Sequence, residues 1–228
     1  MIKAVLIDID DTILDFQAYV KESIKNGFER FNLGAFDESV YETFKKVNTK
    51  LWKEVEDGVI TYEDLLKNRW KTVFEELNVN FDGQVFEKYF KKLLFDSGIV
   101  VEGAKELLDY LKEKYVLCIA SNGPYEQQIN RLKVGGLYDY FDYFVISEGI
   151  GLSKPHKEFF EYALNKINEK QFVLPSEVIM IGDSLTADMV GGKNAGIKTC
   201  LFNVKGLDYS TFSPDYVVDK LEEVKRFL

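Results

Sequence analysis

The sequence predicts an α/β protein, a doubly wound, Rossmann-like parallel sheet interrupted directly after its first strand by an all-helical insert. Three observations carry this reading. A short apolar run, Ala4-Val5-Leu6-Ile7, stands alone at the start and ends on charged residues. Across residues 16–94 the apolar side chains recur only at helical spacing. From about Gly98 onward, apolar runs of strand length alternate with helical stretches, as they do when parallel strands are joined by helical crossovers.

The elements follow in order. Residues 4–7 have no polar position, which a strand covered on both faces requires. The insert reads as four or so helices. Phe16, Val20, Ile24, Phe28 and Phe31 mark the first, and Val40, Phe44, Val47, Leu51 and Val55 the second. Leu65, Leu66, Trp70, Val73, Phe74 and Leu77 mark the third, and Val85, Phe86, Tyr89, Phe90 and Leu93 the fourth. Asp57-Gly58 and Asp82-Gly83 read as turns between them. Further strands are expected at 116–120, 143–146, 178–181, 199–202 and 216–218, with helices near 103–114, 125–134, 156–168, 186–195 and 220–227. The economical division makes residues 1–14 and 96–228 the α/β core and residues 15–95 the helical insert.

Composition narrows the function classes. The 228 residues are 46% hydrophobic, ample for a buried core, and carry 29 Lys and Arg against 38 Asp and Glu, a net charge of -9. A chain so acidic, with no concentrated basic patch, is not expected to bind a nucleic-acid polymer. Asp8 breaks any signal-peptide core and no run approaches the roughly 20 apolar residues of a membrane span, which points to a cytoplasmic protein without a membrane partner. Cys118 and Cys200 lie inside apolar strands and read as core thiols. Monomer and homodimer both fit the sequence.

Four polar groups fall just after predicted strands. Asp8-Ile9-Asp10-Asp11-Thr12 follows the first, Ser121-Asn122-Gly123 the second, Ser147-Glu148 and then Lys154-Pro155 the third, and Gly182-Asp183-Ser184 the fourth. Open α/β sheets bind ligands outside the carboxyl ends of their strands, so these groups are expected to converge there. Clustered carboxylates at a buried strand end call for a cation or a chemical task. The set suits phosphoryl transfer through an aspartyl-phosphate: Asp8 as nucleophile, and Asp10 to protonate the leaving oxygen and later deprotonate water. Mg²⁺ held by Asp8 and Asp183 would relieve the repulsion of a phosphate dianion, with Lys154 and the Ser121 hydroxyl gripping the transferred group. Asp11, facing the other way from its neighbours on an extended segment, reads as a turn residue pointing away.

The motifs Asp8-Ile9-Asp10-Asp11-Thr12, Ser121-Asn122-Gly123, Lys154-Pro155 and Gly182-Asp183-Ser184-Leu185-Thr186-Ala187-Asp188 resemble, in order, the four motifs of haloacid dehalogenase-like (HAD) hydrolases. The insert resembles that superfamily's helical cap. The resemblance implies catalytic Asp8 and Asp10, phosphate contacts from Ser121, Asn122, Lys154 and Thr12, and Mg²⁺ held by Asp8, Asp10 and Asp183. Asp188 has two readings, an acid that supports the metal or Lys154, and an acid favoured at a helix start by the dipole alone. The stretches 11–16, 51–58, 121–123 and 182–192 are similar to the pyrimidine 5′-nucleotidase subfamily, implying a nucleoside 5′-monophosphate as the small-molecule partner. Asn48, Trp52 and Arg69 are candidate insert residues for reading the leaving group. Trp52 and Trp70 also fit simple packing of the insert. His156, the lone histidine, stays outside the site.

Alternatives of other kinds remain open at this stage. A sugar-phosphate phosphatase or phosphomutase of the same superfamily would use the same residues. A phospho-receiver switch also combines clustered acids, a hydroxyl and a lysine, but its acceptor Asp follows a later strand and it has no large insert after the first.

Overall fold

The computed structural model describes residues 1–228, the side chain of Glu56 excepted. The chain runs through β1 (Ala4–Ile7), then four helices, α1 (Phe16–Phe31), α2 (Glu38–Glu56), α3 (Tyr62–Leu77) and α4 (Gly83–Phe95). It continues through α5 (Ala104–Lys112), β2 (Val116–Ser121), α6 (Tyr125–Val134), β3 (Tyr143–Ile146), α7 (Ser147–Ile150) and α8 (Lys157–Asn168). It closes with β4 (Val178–Gly182), α9 (Gly191–Asn194), β5 (Lys198–Phe202) and β6 (Tyr216–Val218). Two compact units result, Met1–Phe16 with Gly98–Leu228, and Gln17–Ser97.

In the first unit the six strands form one parallel sheet in the order β3-β2-β1-β4-β5-β6. The chain builds outward from β1 in one direction through β2 and β3, then returns to the other side of β1 for β4, β5 and β6. The topological switch point therefore lies between β1 and β4, and the crevice at their carboxyl ends is where such a sheet binds ligands. Side-chain alternation splits the core into two layers. Val5 and Ile7 pack with Leu107, Leu108 and Leu111 of α5, whereas Ala4 and Leu6 pack with Phe159, Phe160, Ala163 and Ile167 of α8. Cys118 and Cys200 are both free and buried, one in each layer, so the sheet itself keeps them apart.

Two expected helices take other forms. Residues 186–195 are not one α-helix: Leu185–Val190 form a π-helical turn, followed by the short α9. The wider turn is of the kind found at functional sites, and it carries Asp188. Residues Leu221–Arg226 form a 3-10 helix.

The second unit is held by an aromatic core. Trp70 lies 4.2 Å from Phe86 and 5.2 Å from both Phe44 and Phe90, ring centroid to ring centroid. Trp70 is thus the packing residue its spacing implies. Asp82 is the N-cap of α4, accepting from the Gln84 and Val85 amides, and Thr61 with Asp64 forms a capping box on α3.

Candidate active site

Asp8 is the first residue beyond β1, and its amide continues the ladder by donating to the Ile181 carbonyl at 3.0 Å. Its carboxylate stands at the switch point. Lys154 reaches it from the segment after α7: Nζ donates to Asp8 Oδ1 at 2.6 Å, to Asp188 Oδ1 at 2.6 Å and to the Ala120 carbonyl at 2.8 Å. An ammonium has three protons, and all three are engaged. The Lys154-Pro155 peptide is cis. Asp188, fully buried, has its other oxygen on the Ser184 amide at 3.0 Å. Gly182 makes this possible, because a Cβ there would fall on the Asp188 carboxylate.

Asp183, just past β4, accepts from Lys205 Nζ at 2.7 Å, and the same ammonium donates to Asp11 at 2.7 Å. Asp11 therefore does not point away from the site. Its left-handed backbone (φ 56°) fits a turn, but the turn brings its carboxylate round to Lys205. Sequence reasoning missed Lys205 because strand ends were followed only to the fourth strand; the segment after β5 obeys the same rule.

Three carboxylate oxygens, from Asp8, Asp183 and Asp188, lie within 4.8 Å of one another. A set of carboxylate oxygens at this spacing fits a hard divalent cation such as Mg²⁺. The expected trio had Asp10 in place of Asp188. The Asp10 carboxylate is instead held by α6, where Arg131 Nη1 donates to Oδ1 at 2.5 Å and Gln128 Nε2 to Oδ2 at 2.7 Å. Burial raises the Asp8 carboxyl to about 7, with Lys154 opposing and the like charge of Asp188 reinforcing the rise. Burial likewise raises Asp183 to about 6 against the pull of Lys205, and raises Asp188 against that of Lys154. Burial works against the Lys154 and Lys205 ammoniums, but Asp188 and Asp8 for the one, and Asp183 and Asp11 for the other, outweigh it and raise both. Both lysines are therefore fixed cations.

Ser121 ends β2, buried, with Oγ accepting from Gln128 Nε2 at 3.1 Å. Thr12 is fully buried and its hydroxyl has no partner among the described residues, which suits a group that serves a ligand oxygen. The Asn122 side chain accepts from the Lys154 amide at 2.9 Å and donates to the Lys154 carbonyl at 2.8 Å, a clasp that positions Lys154. Gln128 and Arg131 were not foreseen. Their signal was polar side chains on the same helical face as Leu132, directly after the Ser121 motif.

In the second unit, Arg69 and Asn48 also depart from expectation. Arg69 makes a bidentate pair with Glu87, at 3.0 and 2.5 Å, and donates to Asn48 Oδ1 at 3.0 Å. Its guanidinium, buried against Phe44 and Phe90, is committed to holding α2, α3 and α4 together. Trp52 lies half-buried with its ring 5.7 Å from that of Tyr62. No helix among the described residues is long and apolar enough to cross a membrane.

A family profile described as haloacid dehalogenase-like hydrolase matches residues 2–196. YfnB of Bacillus subtilis (strain 168) is 33% identical over 227 residues, covering 99% of this chain and 95% of the relative. A crystal structure of YfnB bound to magnesium superposes with a TM-score of 0.90 over 100% of this chain and 98% of that one. The pyrimidine 5′-nucleotidase YjjG of Escherichia coli (strain K12) is 31% identical, covering 98% of this chain and 96% of the relative. The pyrimidine 5′-nucleotidase PynA of Streptococcus pneumoniae is 34% identical, covering 97% and 93%.

Proposed function

The chain belongs to the haloacid dehalogenase-like hydrolases, and from that premise we propose that it is a Mg²⁺-dependent phosphomonoesterase acting through phospho-Asp8, with nucleoside 5′-monophosphates as its substrates. The observation that carries this reading is the Asp8 carboxylate at the switch point, fixed by Lys154 through one oxygen and grouped with Asp183 and Asp188. Asp8, Asp183 and Asp188 would hold Mg²⁺, whose charge lets a phosphate dianion approach a carboxylate nucleophile.

The protein groups then divide the work. An Asp8 oxygen bonds to phosphorus as the bond to the ester oxygen breaks, and Asp10 delivers its proton to that departing oxygen. Water next attacks the same phosphorus, Asp10 takes a proton from it, the bond to Asp8 breaks, and inorganic phosphate leaves. Lys154 keeps Asp8 oriented throughout, because its other two bonds anchor it to Asp188 and to β2. The Ser121 and Thr12 hydroxyls supply donors to the phosphoryl oxygens. The nucleotide class is supported by the two pyrimidine 5′-nucleotidases among the relatives.

Phosphate release from nucleoside 5′-monophosphates, sugar phosphates and small acid phosphates, with and without a chelator, tests this. The expected pattern is hydrolysis of nucleoside 5′-monophosphates that the chelator abolishes and Mg²⁺ restores. Turnover confined to sugar phosphates replaces the nucleotidase with a sugar-phosphate phosphatase. Asp8→Asn is expected to lower kcat by roughly 10⁴-fold or more while leaving the melting curve cooperative. Substantial residual turnover in that variant removes Asp8 as the nucleophile.

A further inference from the structure

Gln128 and Arg131 are each only 1% exposed, yet neither is explained by the core it enters. A buried guanidinium is costly unless fully partnered, and an apolar residue of similar volume is often as stable or more so. Arg131 is not fully partnered. Nη1 serves Asp10 Oδ1 and, at 2.9 Å, Gln128 Oε1, and its Cζ lies 5.8 Å from the centre of the Phe16 ring, but Nε is buried without a hydrogen-bond partner among the described residues. Stability alone is a poor reason for this residue.

Gln128 shows what the arrangement does. Its Nε2 donates to Asp10 Oδ2 at 2.7 Å and to Ser121 Oγ at 3.1 Å, so both amide protons are placed. Its Oε1 accepts from Arg131, which fixes the orientation of the amide. The reverse orientation would set a carbonyl oxygen against the Asp10 carboxylate and leave Arg131 facing an NH₂ group. Two consequences follow. The Asp10 carboxyl is gripped at each oxygen, which removes its side-chain rotation while leaving acceptor sites for a transferable proton. Ser121 Oγ, accepting from Gln128, keeps its own proton to give to a phosphoryl oxygen. One amide thus ties the proton-transfer residue to a phosphate-gripping hydroxyl.

We propose that Gln128 and Arg131 are positioning residues of the reaction, acting through Asp10 and Ser121 without touching the substrate. The proposal rests on the reading of Asp10 as the proton donor to the leaving oxygen. Its signature is selective. An alkoxide leaving group needs that proton, whereas a p-nitrophenolate departs without it, so misplacing Asp10 slows alkyl esters far more than aryl ones.

The test is the pre-steady-state release of the leaving group from two esters, a nucleoside 5′-monophosphate that the wild-type enzyme hydrolyses and p-nitrophenyl phosphate, with Mg²⁺ present. Arg131→Met and Gln128→Leu are expected to slow the first roughly 10- to 100-fold, and the second several-fold at most. Arg131→Lys, which keeps a donor toward Asp10, recovers part of the loss. Asp10→Asn shows the same split, enlarged. Equal slowing of both esters in folded Arg131→Met and Gln128→Leu proteins overturns the proposal, leaving a structural role. If Asp10→Asn shows no split, it is the proton-donor reading that fails, and the proposal falls with it. Should Arg131→Met not fold, Gln128→Asn, which shortens the amide by one methylene, carries the same comparison.

Discussion

At the scale of single residues, the convergence of Asp8, Asp183 and Lys154 was legible because strand ends in an open sheet converge, whatever the insert does. The side-chain partners of Asn122 and Arg69 were not. Each is polar and near a motif or a helix face, but its partner, the Lys154 backbone for one and Glu87 for the other, is distant in sequence. Lys154 is the residue on which the site depends most. Its Nζ is the only cation hydrogen-bonded to Asp8 and Asp188 among the described residues, and both acids are buried. Lys154→Met leaves two buried carboxylates without a counter-charge. Removing one partner of such a group costs about 3–5 kcal/mol, so urea unfolding without Mg²⁺ at pH 8 is expected to show a loss of that order. The loss should shrink at pH 6, where the acids can take up protons instead. A pH-independent loss would mean that Lys154 contributes packing and not charge.

At the scale of elements, the strands were the most legible parts. β1, β3 and β4 are continuous apolar runs, and a parallel sheet buried on both faces needs no other pattern. The turn after β4 was not legible. Leu185, Ala187 and Met189 are good helix formers, and nothing local marks a π-helical turn. What decides it is tertiary: Asp188 must reach Lys154 and the Ser184 amide at once, over a strand end with no side chain in the way. Gly182→Ala tests that dependence. Its Cβ would meet the Asp188 carboxylate, which has no room to retreat because Lys154 and the Ser184 amide hold it. The expected cost is about 1–3 kcal/mol of stability, with a loss of turnover much larger than a strand Gly→Ala change causes elsewhere. Wild-type kcat in a merely destabilised variant would show that Asp188 can move without consequence.

At the scale of the whole molecule, the site is an unbalanced charge group, which is expected to couple folding to pH and, on the proposed function, to Mg²⁺. Four carboxylates, Asp8, Asp11, Asp183 and Asp188, face two ammonium groups, Lys154 and Lys205. Fully ionised, the group carries the excess negative charge that one divalent cation cancels. Without the cation, protons take its place. Burial lifts Asp8 to about 7 and Asp183 to about 6, so between pH 5 and 7 the folded state binds protons that the unfolded chain, with Asp near 3.8, does not. The sign follows from linkage: where the native state holds more protons, stability falls as pH rises. Asp37, Asp64 and Glu177, held below their usual values, lose their contribution only on acidification below about 4, and so do not mask the effect. The metal-free protein is therefore expected to melt at a higher temperature at pH 6 than at pH 8. Mg²⁺ is expected to raise the melting temperature at both, and more at pH 8, because at pH 6 it must first displace protons. Calorimetric titration with Mg²⁺ in buffers of different ionisation enthalpy reads the displacement directly, with proton release expected near pH 6.5 and little at pH 8. Equal Mg²⁺ stabilisation at both pH values, with no proton release at either, would show that the cation binds away from Asp8 and Asp183, and the charge argument for the site would fail with it.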